Sequence, residues 1–389
     1  MTRQPALGAP RSSHPLGWTG AALAVVLVGG CGGPSPEAGR PQAAPGPRAS
    51  LIDHANADED GPVEPGPEAA SEVSQAPAGG AEPGVRGAAP AAAAGAASEA
   101  EARIVWTCTR ETFPILLPLA EASGASYVSD PAGPYLLVVG DSGNRGQYVE
   151  LDPETGAVVA TGHLPLGHGA SDDLEGLSVR GEVVYGITSA GWMRHWRRRP
   201  GRDGDERYQL VRGPYPIAPR VALGLDLRCD SARDINCARN YEGLCLRDPT
   251  DDSAACAGFA VSKADGALYC LSFDGRGDLE VTRRGNRPVG TIAVAAGDTL
   301  TGCHFAPDAA TGQGVGRVPD VVWVGSNASA ANRVFTVSGW QNPARARVDT
   351  VGALGTGFDE ALAVGPGGRL YRFSDTSSAT SLADKFVCR

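Results

Sequence analysis

Basic residues are scarce in this sequence, and lysine is almost absent. The 389 residues contain 34 Lys and Arg against 44 Asp and Glu, a net charge of -10, and only Lys263 and Lys385 are lysines. A nucleic-acid partner would need a basic face on the protein. The one basic cluster, at 194–207, also contains proline, glycine and acids, and this composition is typical of a solvated loop. The charge balance therefore argues against a nucleic-acid partner.

The sequence also lacks several signatures of catalysis. It contains no G-x-S-x-G, no H-E-x-x-H and no C-x-x-C. These patterns mark a serine nucleophile, a zinc protease site and a zinc or redox pair, respectively. Their absence leaves the catalytic residues unknown and leaves open whether the protein is an enzyme.

No apolar run is long enough to form a membrane-spanning helix. The longest, AALAVVLVGG at 21–30, has ten residues, whereas a spanning helix needs about 20. Arg3 and Arg11 precede this run, which fits the core of a signal peptide over residues 1–30.

The end of this segment, VGGC at 28–31, resembles the lipobox of bacterial lipoproteins. The resemblance implies cleavage before Cys31, acyl chains such as palmitate on that cysteine, and attachment to a membrane of the bacterial cell envelope. Gly32, rather than Asp, follows the cysteine, which in enteric lipoproteins favours the outer membrane. The alternative is an ordinary secretory signal with an incidental cysteine.

Bulky apolar residues are rare between residues 31 and 100. Stretches such as PSPEAGRPQAAPGPRAS and AAPAAAAGAASEAEA cannot bury enough apolar surface to offset the entropy lost on ordering. We therefore expect a disordered tether over 31–100, followed by a folded domain over 101–389.

Eight cysteines remain in the folded domain once Cys31 is set aside. An even number in an exported protein predicts disulfide bonds. We expect Cys108 to pair with Cys388, because this bond would join the two ends of the domain. Local pairs among Cys229, Cys237, Cys245 and Cys256, and a bond between Cys270 and Cys303, are the further expectations.

One short phrase recurs along the folded domain. It has a small polar or acidic start, an apolar strand, a turn with Gly or Asp, and a second strand. The five occurrences begin at Glu121, Glu175, Glu242, Thr301 and Glu360. Alternating apolar residues between Gly, Asp, Asn and Pro indicate strands.

A repeated unit of four antiparallel strands predicts an all-β fold, a β-propeller of five blades, with six as the alternative count. An open β-sandwich is less consistent with a recurring phrase. The last unit is too short for four strands, so we expect RIVWTCT at 103–109 to supply the missing one. Pairing of the first and last strands would then close the ring, and a Cys108–Cys388 bond would secure it.

In a propeller, the first strand of each blade lines the central channel. Glu121, Glu175, Glu242 and Glu360 should therefore converge at one mouth, with Thr301 in the fourth place. Converging carboxylates repel one another unless a cation neutralises them, and such oxygen ligands suit Ca²⁺. Further candidate ligands are Asp173, Asp141, Asn144 and Asp298. The alternative is that each glutamate only accepts hydrogen bonds from backbone N–H groups of the neighbouring blade.

Residues 121–190 resemble the opening of the phytase-like esterase propellers, which pair a Glu-x-Ser-Gly phrase with a later Asp-x-Glu-Gly-Leu phrase. The matching segments are EASG at 121–124 and DLEGL at 173–177. The strand pair LLVVGDSGNRGQYVELD also resembles an NHL-type repeat. The resemblance implies a calcium-dependent phosphoesterase with Glu121, Asp173 and Glu175 at the matching positions. The one cation near them that could hold a phosphate is Arg145.

Three functions follow as hypotheses. The first is a membrane-anchored lipoprotein whose propeller binds a ligand or protein partner at the channel mouth. The second is a calcium-dependent phosphoesterase at the same mouth. The third is a purely structural envelope protein.

Overall fold

The computed structural model describes residues 105–113, 116–220, 226–247, 256–295, 297–306, 321–327, 332–355, 358–376 and 380–389. They all belong to one compact unit, residues 94–389. The predicted signal peptide (1–30), the lipidation site Cys31 and the tether (31–100) lie outside the described residues. Among the described residues, no helix has the length and apolar character needed to cross a membrane.

The chain forms a five-bladed β-propeller, so the predicted fold class and blade count are confirmed. Two short strands come first, β1 (Cys108–Glu111) and β2 (Leu116–Leu117). Blade 1 contains β3 (Ala122–Val128), β4 (Tyr135–Gly140), β5 (Gln147–Leu151) and β6 (Val158–His163). Blade 2 contains β7 (Leu174–Arg180), β8 (Val183–Thr188), β9 (Trp192–Arg198) and β10 (Tyr208–Pro216).

Blade 3 contains β11 (Tyr241–Leu246), β12 (Gly258–Ser262), β13 (Ala267–Phe273) and β14 (Leu279–Val281). A small ribbon of β15 (Arg283–Arg284) and β16 (Arg287–Pro288) follows, and then β17 (Ile292–Ala293) returns to pair with β13. Two short segments, β14 and β17, therefore share the outer edge of this blade. Both segments pair with β13, because the hairpin β12–β13 supplies the second and third strands of the blade.

Blade 4 contains β18 (Leu300–Ala306), β19 (Val321–Ser326), β20 (Arg333–Ser338) and β21 (Arg347–Ala353). Blade 5 contains β22 (Phe358–Gly365), β23 (Arg369–Asp375) and β24 (Ser381–Cys388), with β1 paired to the outer side of β24. Within the described residues, the helical elements with defined bounds are three 3-10 turns, at Gly204–Glu206, Pro343–Arg345 and Pro366–Gly368.

The hydrophobic core is divided among the contacts between neighbouring blades. Each blade packs an apolar face on the next, for example Val139 of blade 1 with Leu177 and Trp196 of blade 2. The same holds between the last and first blades, where Tyr371 and Ala361 of blade 5 pack with Leu136 of blade 1. Burial of apolar surface stabilises by about 25 cal/mol per Å², so every blade depends on two neighbours for its stability.

The first strand of the described domain completes the last blade. Cys108 lies opposite Cys388 in the β1–β24 register, and the two are disulfide-bonded with Cα atoms 4.0 Å apart. The strand is Cys108–Glu111, which includes the last two residues of the predicted segment RIVWTCT, whereas residues 103–104 of that segment lie outside the described residues. That this pairing is what keeps the ring closed stays a prediction.

The other three disulfides correct part of the predicted pairing. Cys229 pairs with Cys237, Cys245 with Cys303, and Cys256 with Cys270. The expected Cys270–Cys303 bond is wrong, because Cys303 lies on the inner strand β18. That strand packs beside the inner strand β11, which carries Cys245. Sequence separation does not reveal this contact between blades.

The Cys108–Cys388 bond should contribute more to stability than the Cys229–Cys237 bond. The two bonds join residues 280 and 8 positions apart, and the loop-entropy relation then gives a difference of about 3 kcal/mol. We expect Cys108→Ser/Cys388→Ser to lower the free energy of unfolding by that much more than Cys229→Ser/Cys237→Ser, as measured by urea denaturation. Equal losses in the two double variants would show that the terminal bond does not hold the ring.

Candidate functional site at the channel mouth

Every inner strand has an irregularity near its start. The register with the second strand slips between Ala122 and Gly124 in blade 1, and between Leu174 and Gly176 in blade 2. Equivalent slips occur in the other three blades. A β-bulge leaves its extra residue outside the ladder and re-aims its side chain. The skipped residues are Ser123, Glu175, Glu242, Thr301 with Gly302, and Glu360.

This register corrects the predicted alignment of the first blade. The residue equivalent to Glu175 is Ser123, two positions after Glu121, which we had aligned with it. Glu121 is half-buried with a left-handed φ of 50°, and its Oε2 accepts a hydrogen bond from Asn144 Nδ2 at 3.3 Å. The structure therefore places a hydroxyl where the sequence pattern had placed a carboxylate.

In blades 1 to 3 a glycine comes directly after the bulge residue, and its packing explains why this part of the phrase recurs. A Cβ on Gly176 would lie 2.5 Å from the backbone nitrogen of Leu244, and a Cβ on Gly243 would lie 2.9 Å from the backbone oxygen of Thr301. Neighbouring inner strands thus meet backbone to backbone at these positions, and only glycine fits. The contact holds the bulge residues of successive blades close together at one end of the channel, which we call the channel mouth.

A second set of side chains comes from the residue that follows the second strand of each blade. This position comes directly after the residue that pairs with the one before the bulge, and its side chain differs from blade to blade. Its five occupants are Asp141, Ser189, Lys263, Asn327 and, within β23, Asp375. Several of these side chains contact a bulge residue or an acid beside it. Each blade thus places two polar residues at the mouth, one at the bulge and one near the end of its second strand.

Three carboxylates gather on one side of the mouth. Asp141, Asp173 and Glu175, which we call the carboxylate triad, each offer an oxygen, and these oxygens all lie within 4.8 Å of one another. Glu175 Oε2 accepts a hydrogen bond from the Ser123 hydroxyl of the neighbouring blade, and Asp173 Oδ2 accepts one from the Ser189 hydroxyl. Asp173 is only 1% exposed, yet its Oδ1 has no hydrogen-bond partner within the described part of the chain.

Burial and mutual repulsion make the triad hard to ionise. Burial, followed by the nearby Glu242, Asp141 and Asp173 charges, holds the pKa of Glu175 well above its ordinary value. Burial likewise raises the pKa of Asp173, and it raises the pKa of Asp141 to about 6. Without a cation the triad therefore retains protons near neutral pH, and a bound cation would replace them.

The other side of the mouth carries its own cation. Lys263 Nζ lies 3.0 Å from Glu242 Oε1, and Asn327 Nδ2 donates to Glu360 Oε1 at 2.6 Å. Burial raises the pKa of Glu242 to about 8, although Lys263 acts against the shift. Burial lowers the pKa of Lys263, but the carboxylates of Glu242 and Glu360 more than offset this and leave it above its ordinary value. An ammonium group of the protein thus offsets part of the negative charge on this half of the mouth.

The structure brings most of the predicted site residues to one place. Glu175 and Asp173 meet Asp141 in the triad, and Glu242 and Glu360 lie across from them around Lys263. Asp298 does not join them, because it forms an ion pair with Arg333 at 3.2 Å. The glutamates contact side-chain donors, Ser123, Lys263 and Asn327, rather than the backbone N–H groups of our alternative interpretation.

Sequence reasoning missed the hydroxyls and the lysine that surround these acids. Ser189 and Lys263 carry no motif of their own, and the sequences around Ser123 (EASG) and Asn327 (NAS) did not mark either residue as part of this site. A usable signal was present, because Ser189, Lys263 and Asn327 each come directly after the Thr or Ser that ends the second strand of a blade. A comparison of equivalent positions after each hairpin, rather than of the opening phrase alone, would have found them.

Comparison with known proteins places no family on the chain. No protein-family model and no curated protein matches it. Among solved structures, the PQQ-bound aldose sugar dehydrogenase from Streptomyces coelicolor is 14% identical with a TM-score of 0.44, covering 73% of this chain and 98% of that chain. Glutaminyl cyclase from Myxococcus xanthus is 14% identical with a TM-score of 0.39, covering 72% and 97%.

The soluble aldose sugar dehydrogenase from Escherichia coli, in its apo form, is 12% identical with a TM-score of 0.37, covering 73% of this chain and 100% of that chain. At these identities and TM-scores the matches carry no argument about activity, and the resemblance to phytase-like esterases gains no support from them.

The charge state of Glu242 should be visible in the pH dependence of stability. Its folded pKa of about 8 lies above the ordinary 4.5, so its stabilising effect is complete below about pH 4.5 and is lost as the pH rises through 8. We expect Glu242→Gln, in metal-free protein, to reduce the loss of unfolding free energy between pH 5 and pH 8 by about 1 kcal/mol or more. Urea denaturation across this range measures it. Glu206→Gln, at an exposed surface carboxylate, is the control, and identical pH profiles for wild type and Glu242→Gln would contradict the expectation.

Proposed function

We propose that this protein is a lipid-anchored envelope propeller that binds a divalent cation at its channel mouth, with Ca²⁺ the best fit. A ligand or protein partner then docks at the same mouth and supplies oxygen donors to the ion. The observation that carries this proposal is the unpartnered Oδ1 of Asp173, a residue that is 1% exposed and has a carboxylate oxygen within 4.8 Å of oxygens of Asp141 and Glu175.

The donor set fits calcium. Ca²⁺ takes six to eight oxygen ligands at about 2.3–2.6 Å, so two oxygens on the same ion lie at most about 5 Å apart. The triad oxygens, all within 4.8 Å of one another, meet this limit. Carboxylates suit this hard cation, and three of them leave coordination positions for water or for a ligand.

The buried charges also support a cation. An ionised carboxylate buried without a partner costs several kcal/mol. The carboxylates on the two sides of the mouth differ in whether a basic side chain contacts them. Lys263 places one positive charge beside Glu242 and Glu360. No Lys or Arg side chain of the described residues forms an ion pair with the triad, although the charges of Lys263 and Arg194 act on Glu175 and Asp173. Asp141 is half-buried while Asp173 and Glu175 are buried, so the triad is open to solvent on the Asp141 side.

Anchoring to the envelope rests on the VGGC segment at 28–31 and the apolar run before it. Lipid on Cys31 would hold the tether at the membrane and leave the propeller free to reach its partner. The disulfide bonds of the propeller are consistent with an oxidising, extracytoplasmic location.

Substitution of the triad tests the proposal directly. We expect Asp173→Asn and Glu175→Gln each to weaken Ca²⁺ binding at least about 100-fold, since loss of a residue behind a ligand already costs about 10–100-fold. Titration calorimetry, together with metal content after dialysis, measures the effect. The control is Asp205→Asn, an exposed acid that pairs with His163 outside the mouth. Variants that retain wild-type calcium binding and differ only in melting temperature would show that the triad is purely structural.

A phosphoesterase is the second candidate, and the position of Arg145 favours it. Arg145 lies in the loop that begins with Asp141, and its backbone N–H donates to Asp172 Oδ2 at 2.8 Å, directly before Asp173 in the chain. Its side chain is exposed beside the triad loops and could bind a phosphate group. A bound divalent cation would supply Lewis-acid stabilisation of the developing charge.

Hydrolysis of bis(p-nitrophenyl) phosphate distinguishes the two candidates. If the protein is a phosphoesterase, we expect calcium-dependent turnover that a chelator abolishes, and we expect Arg145→Gln to lower it at least about tenfold while calcium affinity is retained. Arg276→Gln, at an exposed turn of blade 3, is the matched control. A calcium-loaded wild-type protein without turnover would remove this candidate and leave the binding function.

A further inference from the structure

A small disulfide-closed loop lies against the triad. Residues 229–240 come before β11 and are closed by the Cys229–Cys237 bond, and we call them the disulfide loop. Both ends of the loop are fixed on the turn that follows β8. Cys229 N–H donates to the Ala190 carbonyl at 2.9 Å, and Tyr241 N–H, just past the loop, donates to the Ser189 carbonyl at 3.0 Å.

Asn236, directly before the closing Cys237, orients a hydroxyl that contacts the triad. Asn236 N–H donates to Ser189 Oγ at 2.8 Å, and Ser189 Oγ in turn donates to Asp173 Oδ2. A serine hydroxyl has one proton to donate. Because its oxygen already accepts from Asn236, that proton is directed to Asp173. Ser189 is fully buried, so water does not compete for this contact.

The loop also supports the segment that leads into Asp173. Ser171 N–H donates to the Ala232 carbonyl at 2.8 Å, while Arg194 Nη2 donates to the Ser171 carbonyl at 2.7 Å. Arg194 is fully buried, and its Nε donates to the Leu166 carbonyl at 2.8 Å. The backbone two residues before Asp173 is therefore held by the disulfide loop on one side and by a buried guanidinium on the other.

We infer that the disulfide loop is a positioning element of the cation site. It holds Ser189 so that the hydroxyl occupies Asp173 Oδ2 and leaves Oδ1 directed at the ion. Ser189 and the backbone of Asn236 act through Asp173 rather than on the ion itself. The inference rests on the proposed cation binding and deepens it, because it makes the affinity of the site depend on an intact Cys229–Cys237 bond.

Removal of the bond should weaken cation binding without a matching loss of the fold. We expect Cys229→Ser/Cys237→Ser to weaken Ca²⁺ binding about 10–100-fold, as for other residues that orient a ligand, and to shrink the rise in melting temperature on calcium addition. The matched control is Cys256→Ser/Cys270→Ser, which opens another short-range bond within blade 3. We expect the control to lower the melting temperature of metal-free protein and to keep wild-type calcium affinity.

A second variant keeps the test independent of disulfide formation. Ser189→Ala removes the hydroxyl and leaves both cysteines, and we expect a similar loss of calcium affinity by titration calorimetry. If wild-type protein binds calcium and both variants bind it equally well, the positioning role is wrong and the proposed cation site stands. If wild-type protein itself binds no calcium, the proposed function fails first.

Discussion

The close approach of the inner strands is the constraint on which the rest of the structure depends. Five blades leave a narrow channel, and successive inner strands touch backbone to backbone where Gly176 and Gly243 lack a side chain. The residue before each glycine bulges out of its ladder. The side chains at the bulge positions therefore lie close together at the channel mouth and interact with one another.

Carboxylates that lie close together are stabilised by a nearby positive charge. The two sides of the mouth differ in whether the protein supplies that charge through an ion pair. Lys263, one of only two lysines in the chain, provides the counter-charge for Glu242 and Glu360. The triad has hydroxyl donors but no ion pair with a basic side chain of the described residues, and the charges of Arg194 and Lys263 act on Asp173 and Glu175 without such a contact. Its acids therefore either hold protons or bind an external cation. This asymmetry is the physical basis for assigning one cation to one side of the channel.

One insertion between blades makes hydrogen bonds that reach the candidate site. The disulfide loop before β11 contributes no strand to a blade, yet its hydrogen bonds reach a residue of the triad within two steps, through Asn236 and Ser189. Short-range disulfides usually contribute less to stability than bonds that close long loops. Local order at a site is the more consistent role for the Cys229–Cys237 bond.

The sequence by itself determined the strand repeat, the number of blades, the even set of cysteines in the folded domain and the recurring opening phrase of the blades, because these depend on residues close together in the chain. The tertiary structure alone decided which acids meet. Ser123 rather than Glu121 occupies the bulge position of blade 1, because the register slips there. Cys245 bonds to Cys303 because the inner strands of neighbouring blades pack side by side. Contacts between blades join residues far apart in the chain, and no local pattern specifies them.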